Sequence, residues 1–311
     1  MADLQRRLAQ AGFAKLDDPA GEYGPATRQA VAEFQLSRGL RADGVCGAQT
    51  WSALVEAGYR LGDRLLYRKV PMLRGDDVAE LQRRLASLGF DPGRIDGIFG
   101  DTTARALADF QRNAGLTVDG IFGRATLAEL VRLNHRQEVA ELVTTVKERE
   151  RLRRAPRSLQ GRRVALGENG GLGLVTSSVA RALRGRGAEV VTLNHPDDSQ
   201  LAVEANNAMV EVYLGLTLAP EEPRCEACYY AGYRSESEGG KRLAQLLQEA
   251  LAQALGVPSQ GVRGMALPVL RETRMPAVVC ELGPADAVVG QAASVATAVT
   301  DALGSWAQSW E

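Results

Sequence analysis

Val78-Ala79-Glu80-Leu81-Gln82-Arg83-Arg84-Leu85-Ala86-Ser87-Leu88-Gly89-Phe90 is the stretch from which the fold of the first half is read. Val78, Leu81, Leu85 and Leu88 recur at three- and four-residue intervals, which lines them along one stripe of a helix over 78–88. Gly89 follows where a helix C-terminus favours a residue at ease with positive φ. The same text stands earlier: Leu4-Gln5-Arg6-Arg7-Leu8 matches Leu81-Gln82-Arg83-Arg84-Leu85, and Gly12-Phe13 matches Gly89-Phe90. Further on, Tyr23-Gly24 matches Phe99-Gly100, and Phe34-Gln35 matches Phe110-Gln111. Asp43-Gly44-Val45-Cys46-Gly47 matches Asp119-Gly120-Ile121-Phe122-Gly123, and Thr50 matches Thr126. The first copy carries one extra loop residue between its Gly-Phe and Tyr-Gly pairs. Self-similarity of this kind marks a structural repeat. Each copy predicts three short helices; in the second, Thr102 or Thr103 opens the middle one and Thr126 the last, their hydroxyls suited to capping N–H groups. Asp96-Gly97 and Asp119-Gly120 read as tight turns between them.

At 311 residues the chain is long enough for two or three domains, and 45% hydrophobic with 24% charged residues is ordinary globular composition. A formal net charge of −1 gives no electrostatic reason to expect nucleic acid or an anionic membrane as partner. No apolar run reaches bilayer length, and no apolar segment follows Arg6-Arg7 as a signal peptide would require. The four cysteines, Cys46, Cys225, Cys228 and Cys280, are too scattered for a disulfide scaffold, so a reducing, cytoplasmic compartment is expected. With only His135 and His195 in the chain, any zinc site would have to be built from them.

The expected organisation is a first repeat over 1–58, a connector and second repeat over 59–134, a charged helical linker over 135–160 and a larger domain over 161–311. In the connector, Tyr59, Leu61, Leu65, Leu66 and Tyr67 are candidates to pack the two copies together. The linker predicts a helix over 139–153, strongly basic from Lys147 to Arg154, and reads as a solvated face, with a docking patch for a partner as the other reading. Beyond it, strand and helix alternate. Strands are expected over 162–166, 188–193, 212–218, 227–231, at Val269-Leu270 and over 277–282, and helices over 174–185, 199–209, 240–255 and 292–310. That pattern predicts an α/β domain with a central twisted sheet and helices on both faces.

The repeats resemble the peptidoglycan-binding domain found beside wall hydrolases, with its L-Q-x-x-L-x-x-x-G-F, D-G-x-F-G, F-Q and D-G-x-x-G-x-x-T signature. The resemblance implies two all-α three-helix bundles, each with a shallow groove for muropeptide or precursor, and makes Tyr23, Asp43, Phe99 and Asp119 candidate groove residues. The second half resembles the zinc-type N-acetylmuramoyl-L-alanine amidases, above all in Val269-Leu270-Arg271-Glu272-Thr273-Arg274-Met275-Pro276-Ala277-Val278-Val279-Cys280-Glu281-Leu282-Gly283. Glu281 falls on that family's catalytic glutamate. The family's first zinc-binding histidine lies in a D-P-G-H-G-G loop, where this chain has Gly167-Glu168-Asn169-Gly170-Gly171, with Asn169 in the histidine's place. The last ends a strand reading S-I-H-A-N, where Thr217 stands here, and the loop carrying the glutamate ligand shrinks to Leu172-Gly173-Leu174. The resemblance therefore implies a pseudo-enzyme with no metal or other cofactor and only a vestigial Glu281, itself readable as a satisfied carboxylate kept by the fold. Zinc lowers the pKa of its bound water from about 15.7 to about 7, so its loss removes about 12 kcal/mol of nucleophile activation.

Cys225-Glu226-Ala227-Cys228 offers a thiol pair for metal or redox chemistry; the plainer reading is two small, partly buried residues beside a strand. Taken whole, the chain resembles the CwlM family of actinobacterial cell-wall synthesis, including the connector Glu56-Ala57-Gly58-Tyr59-Arg60-Leu61-Gly62-Asp63-Arg64-Leu65-Leu66-Tyr67 followed by Gly75-Asp76-Asp77-Val78. That implies a cytoplasmic regulator of peptidoglycan precursor synthesis, with the UDP-N-acetylglucosamine enolpyruvyl transferase as partner. Two other readings stay open: an active zinc amidase whose metal site is rebuilt from other residues, and an exported wall-binding module.

Overall fold

The computed structural model describes residues 1–13, 18–134, 143–219, 223–232 and 235–310, and the chain divides into two compact units, Met1–Lys147 and Glu148–Glu311. In the first unit, α1 (Ala2–Gln10), α2 (Pro25–Ser37) and α3 (Ala48–Ala57) form one bundle, and α4 (Asp76–Ser87), α5 (Asp101–Asn113) and α6 (Arg124–Asn134) the other. Each buries its own core, Leu4, Leu8, Val31, Phe34 and Leu54 in the first and Leu81, Leu85, Phe99, Leu107 and Phe110 in the second. The sequence repeat carries through to ring geometry. Phe13 meets Phe34 edge-on at 5.7 Å, and Phe90 meets Phe110 in the same way at 5.6 Å. The extra loop residue of the first copy falls outside the described residues.

The connector behaves as an extended edge. Leu66 is fully buried and exchanges backbone hydrogen bonds with Phe122 at 3.2 and 2.7 Å. Leu65 and Tyr67, expected to pack between the copies, are exposed instead, because alternate residues of an extended segment face opposite ways. The copies are joined by charge: Arg38 donates to both carboxylate oxygens of Asp76 at 2.8 Å, and Arg64 of the connector grips the buried Asp77 at 2.7 and 3.1 Å.

The helix α7 (Val143–Arg154) follows; the first residues of the expected 139–153 helix lie outside the described residues. From Glu148 onward it belongs to the second unit, where Leu152 enters the core and Arg149 pairs with Glu238. There, β1 (Arg163–Glu168), α8 (Gly173–Gly185), β2 (Glu189–Asn194), α9 (Asp198–Asn207) and β3 (Val212–Leu218) alternate as expected. They are followed by β4 (Arg224–Gly232), β5 (Ser235–Glu236), α10 (Glu238–Leu255) and β6 (Val262–Met265). The chain then runs through α11 (Pro268–Glu272), β7 (Ala277–Gly283), α12 (Ala285–Gly290) and α13 (Ala292–Gln308). The sheet order is β2-β1-β3-β7-β4-β5, with β6 also on β4. It is parallel through β2, β1, β3 and β7; β4 then runs antiparallel to β7. The helices α8, α10 and α13 cover one face, and α9 and α11 the other.

Two expectations are corrected here. Val269-Leu270 is not a strand but the buried side of α11, where Pro268 supplies the helical φ of a first turn without needing a donor. The expected 227–231 strand is β4, longer at its start, and β6 pairs beside it unannounced.

Candidate functional site

The parallel strands β1, β3 and β7 end along one edge of the sheet, where α/β folds gather their functional groups. Their register pairs Glu168 with Leu216 and Thr217 with Glu281. Continued by one residue beyond β1, it sets Asn169 opposite Thr217. The three positions singled out in the sequence thus fall in one row at this edge, Thr217 and Glu281 paired on neighbouring strands and Asn169 just past the end of the third. Alternation places Thr217 and Glu281 on the face of Tyr213 and Val279, under α9 and α11. Glu168 lies on the opposite face, where its carboxylate accepts the Leu172 N–H at 2.9 Å and caps the start of α8. Gly167 is obligatory in the strand, since a Cβ there would lie 1.9 Å from the buried Tyr213 hydroxyl.

Glu281 is almost wholly buried and accepts from Arg224 Nη1 at 3.4 Å. The antiparallel β4 brings a second buried carboxylate, Glu226, directly across from it. Glu226 in turn pairs with Arg263 Nε of β6 at 3.2 Å. Sequence reasoning did not single out Arg224, Glu226 or Arg263. The signal that would find them is the β4–β7 register, which local text does not carry.

This donor set does not fit zinc. Structural and catalytic zinc sites take at least three thiolate, imidazole or carboxylate ligands, and the row offers an amide, a hydroxyl and a carboxylate already held by arginine. Among the described residues no group of three or more His, Cys, Asp or Glu side chains is placed to hold a metal. His195 is occupied locally, its Nδ1 accepting the Asp197 N–H at 2.9 Å; His135 lies outside the described residues.

Cys225 and Cys228, read in the sequence as partly buried residues beside a strand, are fully buried within β4. Three residues apart in a strand, they face opposite sides: Cys225 joins Cys280 under α10 and α13, and Cys228 joins Tyr230 and Met265 on the far face. They cannot chelate one ion or close one disulfide. Burial pushes the Cys225 thiol up to about 11, and raises Cys280 well above the ordinary range. A thiol-reactive chromophore at pH 8 is therefore expected to titrate only the half-buried Cys46 in the native protein, with the other three appearing on denaturation. Native reaction of two or more thiols would contradict this burial.

In the repeats, buried glutamines organise the turns. Gln111 Nε2 donates to Asp119 Oδ1 at 2.8 Å and Ile121 O at 3.1 Å, while its Oε1 accepts the Gly120 N–H at 3.0 Å. Gln35 does the same with Asp43 at 2.8 Å, Val45 O at 3.0 Å and Gly44 N–H at 2.9 Å. Asp43 and Asp119 are exposed turn carboxylates held below their usual range, chiefly by the backbone N–H groups of Val45 and Ile121 and then by the glutamines. Tyr23 is half-buried and donates its hydroxyl to Gly44 O at 2.5 Å, and burial raises its pKa. Phe99 is enclosed completely in the core of the second bundle.

The family description "putative peptidoglycan binding domain" matches residues 1–54 and 74–130, one copy each. The chain is 35% identical to the N-acetylmuramoyl-L-alanine amidase CwlM of Mycobacterium tuberculosis, over 82% of this chain and 70% of that protein. It is 36% identical to a probable N-acetylmuramoyl-L-alanine amidase of Bacillus licheniformis, over 42% of this chain and 41% of that one. A crystal structure of N-acetylmuramoyl-L-alanine amidase from Clostridium difficile 630 superposes with a TM-score of 0.41 at 18% identity, covering 49% of this chain and 100% of that one. The chain belongs to the N-acetylmuramoyl-L-alanine amidase family, with the CwlM-like architecture of tandem peptidoglycan-binding repeats followed by an amidase-like domain.

Proposed function

We propose that the chain is a non-hydrolytic member of this family, a cytoplasmic regulator of peptidoglycan precursor synthesis that acts by holding other molecules. What supports this reading is the row Asn169, Thr217, Glu281: the two positions that the resemblance matches to zinc-binding histidines carry an amide and a hydroxyl, and the carboxylate beside them pairs with Arg224. A buried glutamate without a Lewis acid beside it lacks the means to make water nucleophilic at neutral pH. No helix among the described residues is long and apolar enough to cross a membrane. The relationship to CwlM supports the UDP-N-acetylglucosamine enolpyruvyl transferase as the protein held. The repeats supply a surface for muropeptide or precursor, with Tyr23, Asp43 and Asp119 at the turns and Phe99 in the core of the second bundle.

Purified full-length chain, prepared without chelator, is expected to contain far less than one equivalent of zinc by elemental analysis and to release no peptide from muramoyl-peptide with zinc added. Added to purified transferase, it is expected to raise turnover severalfold. Stoichiometric zinc with peptide release would replace this reading by an active amidase. A metal-free chain that leaves the transferase rate unchanged would remove the partner and keep the non-hydrolytic assignment.

A further inference from the structure

We propose that Arg224 supplies to Glu281 the positive charge that a metal ion would bring to this edge in a hydrolytic amidase, within a buried pair of carboxylates each matched by a guanidinium. The inference rests on the non-hydrolytic reading above and explains how the site persists without a metal.

Glu281 and Glu226 are cross-strand neighbours in the β7–β4 register, both on the face under α9 and α11, and both almost wholly buried. Directly opposed residues of antiparallel strands stand with Cβ atoms about 5 Å apart. Two ionised carboxylates at that spacing repel, and burial strengthens the repulsion. A cation must lie against them, or one must give up its charge.

Among the described residues two guanidiniums do so. Arg224 lies two residues before Glu226 on β4 and reaches Glu281 at 3.4 Å; Arg263, across from Cys228 on β6, reaches Glu226 at 3.2 Å. All four share one sheet face by alternation. The guanidiniums are 36% and 48% exposed while the carboxylates are 6% exposed, so the cations form the outer layer and the anions the inner one. Arginine suits the place because it stays charged and is weakly hydrated. Glu281 lies in the row with Asn169 and Thr217, two positions that offer no imidazole, so the positive charge that a bound metal would bring to this edge is supplied instead from β4. The site is closed electrostatically from within, and a zinc ion held by histidines restored at 169 and 217 would compete with Arg224 for the charge of Glu281.

The test uses the full chain and Zn2+ alone as probe, with affinity read by competition against a chromophoric chelator. Asn169→His/Thr217→His is expected to bind zinc weakly; adding Arg224→Gln is expected to tighten binding by about tenfold or more, the scale on which neighbours of metal ligands act. Equal affinity in the two variants overturns the proposal. Stoichiometric zinc in the unaltered chain overturns instead the non-hydrolytic reading, which separates the two failures. Should the triple variant not fold, a double-mutant cycle in the parent chain decides. Arg224→Gln alone is expected to lower the thermal midpoint, and most of that loss is expected to vanish in the Glu281→Gln background. An undiminished loss there would mean that Arg224 does not serve Glu281.

Discussion

Gln82→Ala is expected to unfold the second repeat ahead of the rest of the chain, at a cost of about 3–4 kcal/mol. The Gln82 side chain is buried and fully used. Its Nε2 donates to Asp96 Oδ1 at 2.9 Å, Ile98 O at 3.1 Å and Thr103 Oγ1 at 3.1 Å, and its Oε1 accepts the N–H groups of Asp96 at 3.1 Å and Gly97 at 2.9 Å. One amide thereby fixes the turn that joins α4 to α5. Truncation leaves several buried polar groups without partners, and each such group costs about 1–3 kcal/mol. A bundle of this size has only a few kcal/mol in hand. Urea titration followed by hydrogen exchange should place the loss in residues 74–134 and spare the amidase-like unit. A change below about 1 kcal/mol would mean that water substitutes for the amide and that the network is not what holds the turn. The parallel networks at Gln5, Gln35 and Gln111 show why the repeat's text preserves Leu-Gln and Phe-Gln pairs. The apolar residue fills the core and its neighbour ties the following turn.

The helical half was legible because its signals are local. Apolar residues at three- and four-residue intervals, a Gly after each first helix and Asp-Gly turns each constrain only their own neighbourhood, and α4, α5 and α6 fall where those signals place them, within a residue or two. The α/β half was legible where strand and helix text are long. It failed at Val269-Leu270, since two apolar residues suit a buried helical turn as well as a strand, and at β6, whose Val262-Arg263-Gly264-Met265 is too short to show alternation. The row Asn169, Thr217, Glu281 came from resemblance and gained its geometry from parallel register. Its charge partners were illegible for a physical reason. Arg224 and Arg263 reach their carboxylates through antiparallel and parallel pairings of β4 with strands distant in sequence, and nothing within either segment states its partner.

Trp306→Ala is expected to destabilise the second unit by about 4–5 kcal/mol, the upper range for truncating a buried aromatic. Trp306 has no exposed surface, meets Trp310 edge-on at 6.3 Å and lies under the Arg162 guanidinium at 5.3 Å. Its Nε1 donates to Gly239 O at 3.0 Å, in the first turn of α10. The substitution therefore opens a cavity and removes the ring face from a buried arginine that also pairs with Glu211 at 3.4 Å. Trp306→Phe keeps most of the volume and loses chiefly the hydrogen bond, so about 1–2 kcal/mol is expected there. The consequence extends to α7, because the start of α10 is where that helix docks. A Cβ on Gly239 would meet Leu152 at 2.9 Å, and the Ser237 hydroxyl donates to Glu148 at 2.7 Å. Loosening this turn should release α7, and its arginines should become substrates for trypsin under conditions that leave the parent chain intact. Accelerated cleavage within 148–154 in Trp306→Ala, reversed in Trp306→Phe, is the expected result. Equal cleavage rates in all three proteins would show that α7 is held independently of the α10–α13 contact, and that the second unit's core ends at the sheet rather than at the helix before it.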